Sequence, residues 1–238
     1  MATATDTRVL PQPAQPAAGG AALDIAPAEA ELLRAGLAGD WIELLIALWP
    51  SWGFCPRHAL GFASLELELQ DRLFSTSIYY QHFVEAAAEI AAARFRTWRG
   101  IRYCLTPRAG CVICERLDAG KAAGLSVLAE QVNRRRRLDE RLEEARTSWR
   151  ERACPLCVQD GEGIVCRPHV LGGTKQDELG PQLAALQQRL RRFIGSMCAQ
   201  KTETDPLDRF SWLETIAWFG GWEHPQRLLL ERGDADEH

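Results

Sequence analysis

Four short pairs of metal-ligand residues punctuate this chain: Cys55-Pro56-Arg57-His58, Cys111-Val112-Ile113-Cys114, Cys154-Pro155-Leu156-Cys157 and Cys166-Arg167-Pro168-His169. They use six of the eight cysteines and two of the five histidines. Two residues between donors let both side chains turn onto one cation. Two C-x-x-C and two C-x-x-H units supply the eight donors of two closed tetrahedral sites, each Cys3His. Three thiolates mixed with one imidazole favour zinc over an iron–sulfur cluster, so two zinc ions are expected.

The tightest constellation is Cys154-x2-Cys157-x8-Cys166-x2-His169, a knuckle whose loop carries Gly161 and Gly163 for its turns. His169 follows Pro168 at an expected helix start, where unpaired N–H groups and the helix dipole favour thiolates. Cys55, His58, Cys111 and Cys114 are left for the second site, which must close a loop of more than fifty residues. Each doubling of loop length adds only about 0.6 kcal/mol, whereas a structural zinc contributes on the order of 10 kcal/mol. The pairing stays open from sequence. Cys111 and Cys114 could instead join Cys166 and His169, leaving Cys55 and His58 to Cys154 and Cys157. Cys104 is a substitute ligand on paper, but it and Cys198 read best as small buried apolar side chains.

The elements that must hold these donors are helical, and the expected fold is all-α, helical hairpins stapled by the two zinc sites. Leu, Ala, Glu and Arg are abundant and Val sparse. Residues 1–25 read as a flexible tail rich in proline. Residues 26–110 form an N-terminal helical part that carries the first C-x-x-H. Pro27 starts one short helix, Asp40 caps the next, and a long helical stretch runs from Ala59 to Trp98 with a break near Ser75–Ser77. Gly100 and Pro107–Gly110 read as the loop that delivers Cys111. Residues 111–232 carry the C-x-x-C and the knuckle. Leu117, Leu128, Leu138, Leu142 and Trp149 predict one long helix over about 115–150; Leu183, Leu186, Leu190 and Phe193 predict another over 178–199. These two should pack as an antiparallel hairpin. A last helix over 207–219 ends at Gly220-Gly221, and 233–238 is a frayed end. Gly-Phe-Cys-x-x-His near 55 is echoed by Gly-Ile-Val-Cys-x-x-His near 166, which suggests a duplication.

Composition narrows the function classes. With 46% hydrophobic and 25% charged residues the chain is an ordinary globular protein. Its longest apolar run, Trp41 to Trp49, is too short for a membrane and contains Glu43. The N-terminus has no secretory pattern, and paired cysteines beside histidines suit a reducing compartment, so the expected address is the cytoplasm. The net charge of −4 hides an uneven spread. Residues 94–152 hold fifteen Lys and Arg against eight acids, a net +7 that leaves −11 elsewhere. Nucleic acid is therefore a candidate partner for that segment. The run Arg134–Arg137 points four ways around a helix, however, and Asp139, Glu140, Glu143 and Glu144 stand one turn away, so self-pairing is the stronger reading.

Other chemistries find no support. A zinc deaminase needs H-x-E with P-C-x-x-C, whereas Cys154 follows Ala153. H-E-x-x-H, P-loop and G-x-S-x-G patterns are absent. His82 with Glu85 and Glu89 shares a helix face, but Tyr79 replaces the Glu of a Glu-x-x-His motif. Of the tryptophans, Trp41, Trp98, Trp149, Trp212 and Trp218 fit core positions; Trp49, Trp52 and Trp222 lie at loop edges and should pack over the clusters.

The alternation of C-P-x-C and G-x-C-x-x-H units, with the Leu-rich and Trp-containing helices, resembles a group of poorly characterised bacterial helical proteins with paired zinc-ribbon-like clusters. The resemblance spans roughly residues 53–222 and departs at Cys111-Val112-Ile113-Cys114, which lacks the proline. It implies no established reaction. Closed four-donor sites point to an adaptor or accessory protein that acts on another protein. An enzyme using an inter-helix pocket or an opened zinc site is the alternative, and a nucleic-acid or thiol-redox regulator is a further one.

Overall fold

Prolines open four helices of this protein, and residues in extended or left-handed conformations close several of them. The computed structural model describes residues 23, 25–93, 97–119, 136–199 and 204–230. Of the tail read over 1–25, residues 1–22 and 24 lie outside the described residues, while Leu23 and Ile25 are buried in the core; the readings of 233–238 as a frayed end and of Leu128, Arg134 and Arg135 also lie outside the described residues. Among those described, the regular structure is helical and contains no strand. In order the helices are α1 (Pro27–Ala38), α2 (Trp41–Leu48), α3 (Pro56–Gln70), α4 (Phe74–Ala92), α5 (Trp98–Leu105), α6 (Val112–Asp118), α7 (Arg136–Glu143), α8 (Arg167–Gly172), α9 (Leu179–Cys198), α10 (Pro206–Gly220) and α11 (Glu223–Leu230). Pro27, Pro56, Pro168 and Pro206 each sit in a first turn, where the missing N–H costs nothing. The Asp40 carboxylate caps α2 by accepting from the Ile42 N–H at 2.7 Å.

The core is built by α3, α4, α9 and α10. Helix α9 lies along α4 and also packs on α10, while α10 touches α3 and α4. Two helices are enclosed on every side: α3 is buried from His58 to Leu67, and α10 from Phe210 to Phe219. Their buried acids are matched. Glu214 on α10 receives two hydrogen bonds from Arg189 of α9, at 2.7 and 2.8 Å. Glu66 on α3 accepts from the Thr76 N–H and hydroxyl at 2.8 and 2.7 Å, and so caps the first turn of α4 from a neighbouring helix.

Several sequence expectations need correction. The predicted helix over 115–150 is not continuous: α6 stops at Asp118, and α7 gives way to turns over 144–148. Of the stripe, Leu138, Leu142 and Trp149 are buried, but α7 carries the two leucines and Trp149 follows the turns beyond it. The antiparallel partner of α9 is principally α4, with which it shares the alanine-rich face, and α7 packs instead on α3 and α11. The break expected near Ser75–Ser77 falls earlier, where Asp71 adopts a left-handed conformation at φ 56°. Gly100 lies inside α5, a helix the glycine and proline content concealed, capped by the Thr97 hydroxyl. Trp41, expected in the core, is 51% exposed, while Trp52 and Trp222 are buried. No helix of the described residues is long and apolar enough to cross a membrane.

Candidate metal centres

The structure brings together two quartets of donors: Cys55, His58, Cys111 and Cys114 in one, and Cys154, Cys157, Cys166 and His169 in the other. The exchanged pairing is thereby excluded as an arrangement of these side chains. In each quartet the donor atoms lie within 4.8 Å of one another. A tetrahedron with Zn–S near 2.3 Å and Zn–N near 2.0–2.1 Å needs S···S separations of about 3.8 Å and S···N separations of about 3.6 Å. In the first quartet His58 Nδ1 lies 3.2, 3.5 and 3.4 Å from the sulfurs of Cys55, Cys111 and Cys114, and Cys55 Sγ lies 4.0 Å from Cys114 Sγ. In the second, His169 Nδ1 lies 3.5, 3.6 and 3.2 Å from Cys154, Cys157 and Cys166, with Cys157 and Cys166 sulfurs 3.5 Å apart. Both quartets fit the donor spacing of a tetrahedral metal.

Local sequence explains how the donors converge. Cys55 is the N-cap of α3, Cys111 of α6 and Cys166 of α8, and the following Cys or His sits in each first turn. At a helix start the side chains at the N-cap and N3 point the same way, so C-x-x-H and C-x-x-C become two-pronged clips. The free N–H groups there meet the sulfur atoms, as the Cys55 and Cys114 amides do for Cys111. Cys154 and Cys157 instead flank a turn, and the loop after them folds tightly back. A Cβ on Gly163 would lie 1.9 Å from the Arg152 carbonyl oxygen, so only glycine lets the knuckle close.

The first quartet has a carboxylate behind it. Glu29 of α1 is 3.2 Å from His58 Nε2 and also takes hydrogen bonds from Arg57 at 2.7 Å and the Ala26 N–H at 2.6 Å. Burial pushes the Glu29 carboxyl up, but the bonds from His58 and Ala26 and the charge of Arg57 outweigh it and hold the group below the ordinary range. An ionised carboxylate only accepts, so Nε2 carries the proton and Nδ1 offers its lone pair to the cluster. Burial lowers the proton affinity of His58, yet its contacts with Cys111 and Glu29 raise it to about 9, so without a cation Nδ1 also holds a proton toward the sulfurs, and a bound cation would take that proton's place. The thiols divide. Cys111 is held down to about 3 by its bond with Cys55, and Cys55 is driven up by Cys111 and Cys114. Such crowding of thiols is relieved when a cation replaces their protons. His169 is half-buried and has no counterpart to Glu29 among the described residues.

The two quartets meet at the end of α10. Gly220 abuts Pro56 of the first clip, where an added Cβ would come within 2.4 Å of the proline ring, and Gly221 faces Pro168 of the second. The next backbone N–H, from Trp222, is directed at Cys157. Arg167, beside Cys166, is buried and spans the gap: its Nε donates to the Phe219 carbonyl at 3.1 Å, a terminal nitrogen reaches the Ser51 carbonyl at 3.5 Å, and its plane lies over the Phe219 ring. Burial lowers its pKa to about 10. Sequence reasoning missed Glu29, Arg167 and the second role of Gly220-Gly221. The capping-box glutamate two residues after Pro27 was legible as a helix signal but carried no sign of its imidazole partner.

The remaining candidates dissolve into the fold. His82 stacks on Trp41, and Glu85 pairs with Arg191, so no third donor group forms there among the described residues. Within the basic segment Arg137 pairs with Asp71, Arg146 with Glu143 and Arg152 with Glu214. No family model, no curated protein and no solved structure matches the chain.

Proposed function

We propose that the protein is a helical adaptor or accessory protein whose two quartets each hold a structural zinc ion and which acts through contacts with another protein in the cytoplasm. The observation that carries this reading is the closure of both quartets: four protein donors surround each centre, which leaves no position for a substrate or an activated water. When bound, zinc would supply the charge that lets six thiolates stay ionised together, and Cys55, His58, Cys111, Cys114, Cys154, Cys157, Cys166 and His169 would hold it. The protein's own residues do the rest. Glu29 orients one imidazole, Arg167 offsets the negative charge of the clusters, and the glycines of α10 let them approach the core. The kinship with bacterial helical zinc proteins rests on the motif pattern.

The reading is tested by metal analysis of protein purified without added metal, followed by cobalt substitution. Two equivalents of zinc, and tetrahedral thiolate-rich cobalt spectra unmoved by cyanide or azide, are expected. A spectrum that shifts with these small ligands reveals an open position and replaces the adaptor by an enzyme. Iron with visible absorption removes the zinc assignment.

A further inference from the structure

Helix α2 is apolar on nearly all sides, yet only Leu44 and Leu48 are buried. Trp41, Ile42, Ile46 and Trp49 remain 51, 48, 66 and 46% exposed, and at one- to four-residue steps they fall on a single face with half-buried Leu45 between them. Isolated exposed apolar residues need no explanation, but a contiguous stripe of this kind marks an interaction site. Its two aromatic ends are held in place. Trp41 stacks on His82 at 6.3 Å, and Trp49 stacks on Trp52 at 6.0 Å and leans on Phe83 at 5.4 Å. Rings already fixed lose little entropy when they are covered.

The charges at the two ends of the stripe differ in sign. Asp40 and Glu43 stand at its start, both exposed. Arg108 stands at its end, because its backbone N–H donates to the Pro50 carbonyl at 2.7 Å. Neither Glu43 nor Arg108 pairs with another described side chain. We propose that this face docks a second copy of the chain, α2 against α2 and antiparallel about a two-fold axis near Leu45 and Ile46. An isologous contact of that kind puts the acidic end of each stripe beside the basic end of the other. The stripe offers five side chains, against about 20–30 residues a side in a standard stable interface, so the dimer forms and dissociates with concentration. The inference does not rest on the zinc reading.

Sedimentation of the full chain across concentration tests it, with helicity and metal content measured on every sample to separate lost association from lost fold. The wild type should pass from monomer to dimer. Ile46→Asp should weaken association at least about tenfold, because it leaves an unpaired charge in the contact. Glu43→Arg and Arg108→Glu should each weaken it several-fold, and the double reversal should restore it. A protein that stays monomeric at hundreds of micromolar, or a dimer indifferent to these changes, overturns the proposal. So does a stripe that proves to be covered by a different protein while the chain itself remains monomeric.

Discussion

The two quartets share a donor set and a spacing geometry but are assembled in opposite ways. The knuckle is local: eight residues separate Cys157 from Cys166, and its histidine is half-buried. The other centre joins α3 to α6 across the 52 residues between His58 and Cys111, and its histidine is buried against Glu29. Loop closure makes the distant centre dearer by about 1.6 kcal/mol from the ratio of those lengths. What it gains is reach, since one centre there fixes the approach of α1, α3 and α6. The local centre organises mainly its own turn and α8. A metal staple is worth most where the chain between its ends is longest and most dependent on it, so the two centres should fail differently.

Cys111→Ser breaks the comparison most severely. It removes a buried donor from the long-range centre, and a broken buried cluster leaves charge without compensation, at a cost of about 3–5 kcal/mol. Metal content should fall from two to one, with loss of melting temperature larger than for any knuckle variant. If Cys111→Ser and Cys157→Ser melt together, the long-range centre is no more than another local staple.

Next in size is Cys157→Ser itself, measured against Cys198→Ser. Cys157 faces three other donors, whereas Cys198 is exposed at the end of α9. The first change should lower stability by a few kcal/mol through its coupled metal, and the second by within about 0.5 kcal/mol. Thermal unfolding of the pair decides it, and equal effects would remove Cys157 from the donor set.

How much of this was legible before the structure depends on distance along the chain. The donors themselves could be read because metal chemistry imposes a two-residue gap and specific residue types. The knuckle's short loop favoured its pairing but left the exchanged arrangement open. The partner of Cys55 and His58 could only be inferred by elimination, and the packing that settles it, α1 on α3 and on α6, leaves no periodic mark. Helices with clear starts, such as α1, α2 and α10, were placed well because proline and aspartate act locally. The stretch 115–150 misled because Leu142 and Trp149 keep helical spacing across the turns of 144–148. Arg167 reads as a surface charge between two ligand residues, and only the third dimension shows it buried on Phe219. Trp41 misled in the other direction, since an apolar helix need not bury every apolar side.

The hinge between the centres offers a third, smaller test. Gly220→Ala would press a methyl group into Pro56 and push α10 off the first clip, an overpacking cost of about 1–3 kcal/mol. Gly221→Ala meets Pro168 only at an ordinary contact distance of 3.8 Å, but it must hold φ at 89° with ψ at 163°, a region essentially reserved to glycine, so it costs about 1–3 kcal/mol through backbone strain. Gly220→Ala should therefore loosen metal at Cys55–Cys114 ahead of the knuckle, as read by stepwise release to a chelator. Equal loosening of both centres would mean that α10 supports them as one body.

The finest distinction lies in Glu29, which backs one imidazole and has no equivalent at His169. Glu29→Gln keeps the size of the side chain and one acceptor oxygen, which can stay at Oε1 for His58 only if the amide nitrogen takes the Oε2 place facing the Ala26 N–H and Arg57. What it loses is the negative charge that strengthens the Nε2–H bond and raises the donor power of Nδ1. Helicity of the loaded protein should persist, and its stability should fall by only about 1 kcal/mol, the cost of the lost cap on α1. Affinity at the first centre should fall about 10- to 100-fold, the range for loss of such a partner, while the knuckle keeps its own. Competition with a calibrated chelator, monitored through cobalt spectra of proteins in which the other centre is filled, reads the two affinities separately. An unchanged first centre would reduce Glu29 to a cap for α1, and an equal fall at both would show that the carboxylate acts through the fold. A selective fall would establish that the long-range centre offsets its entropic disadvantage by holding its imidazole more firmly than the local one can.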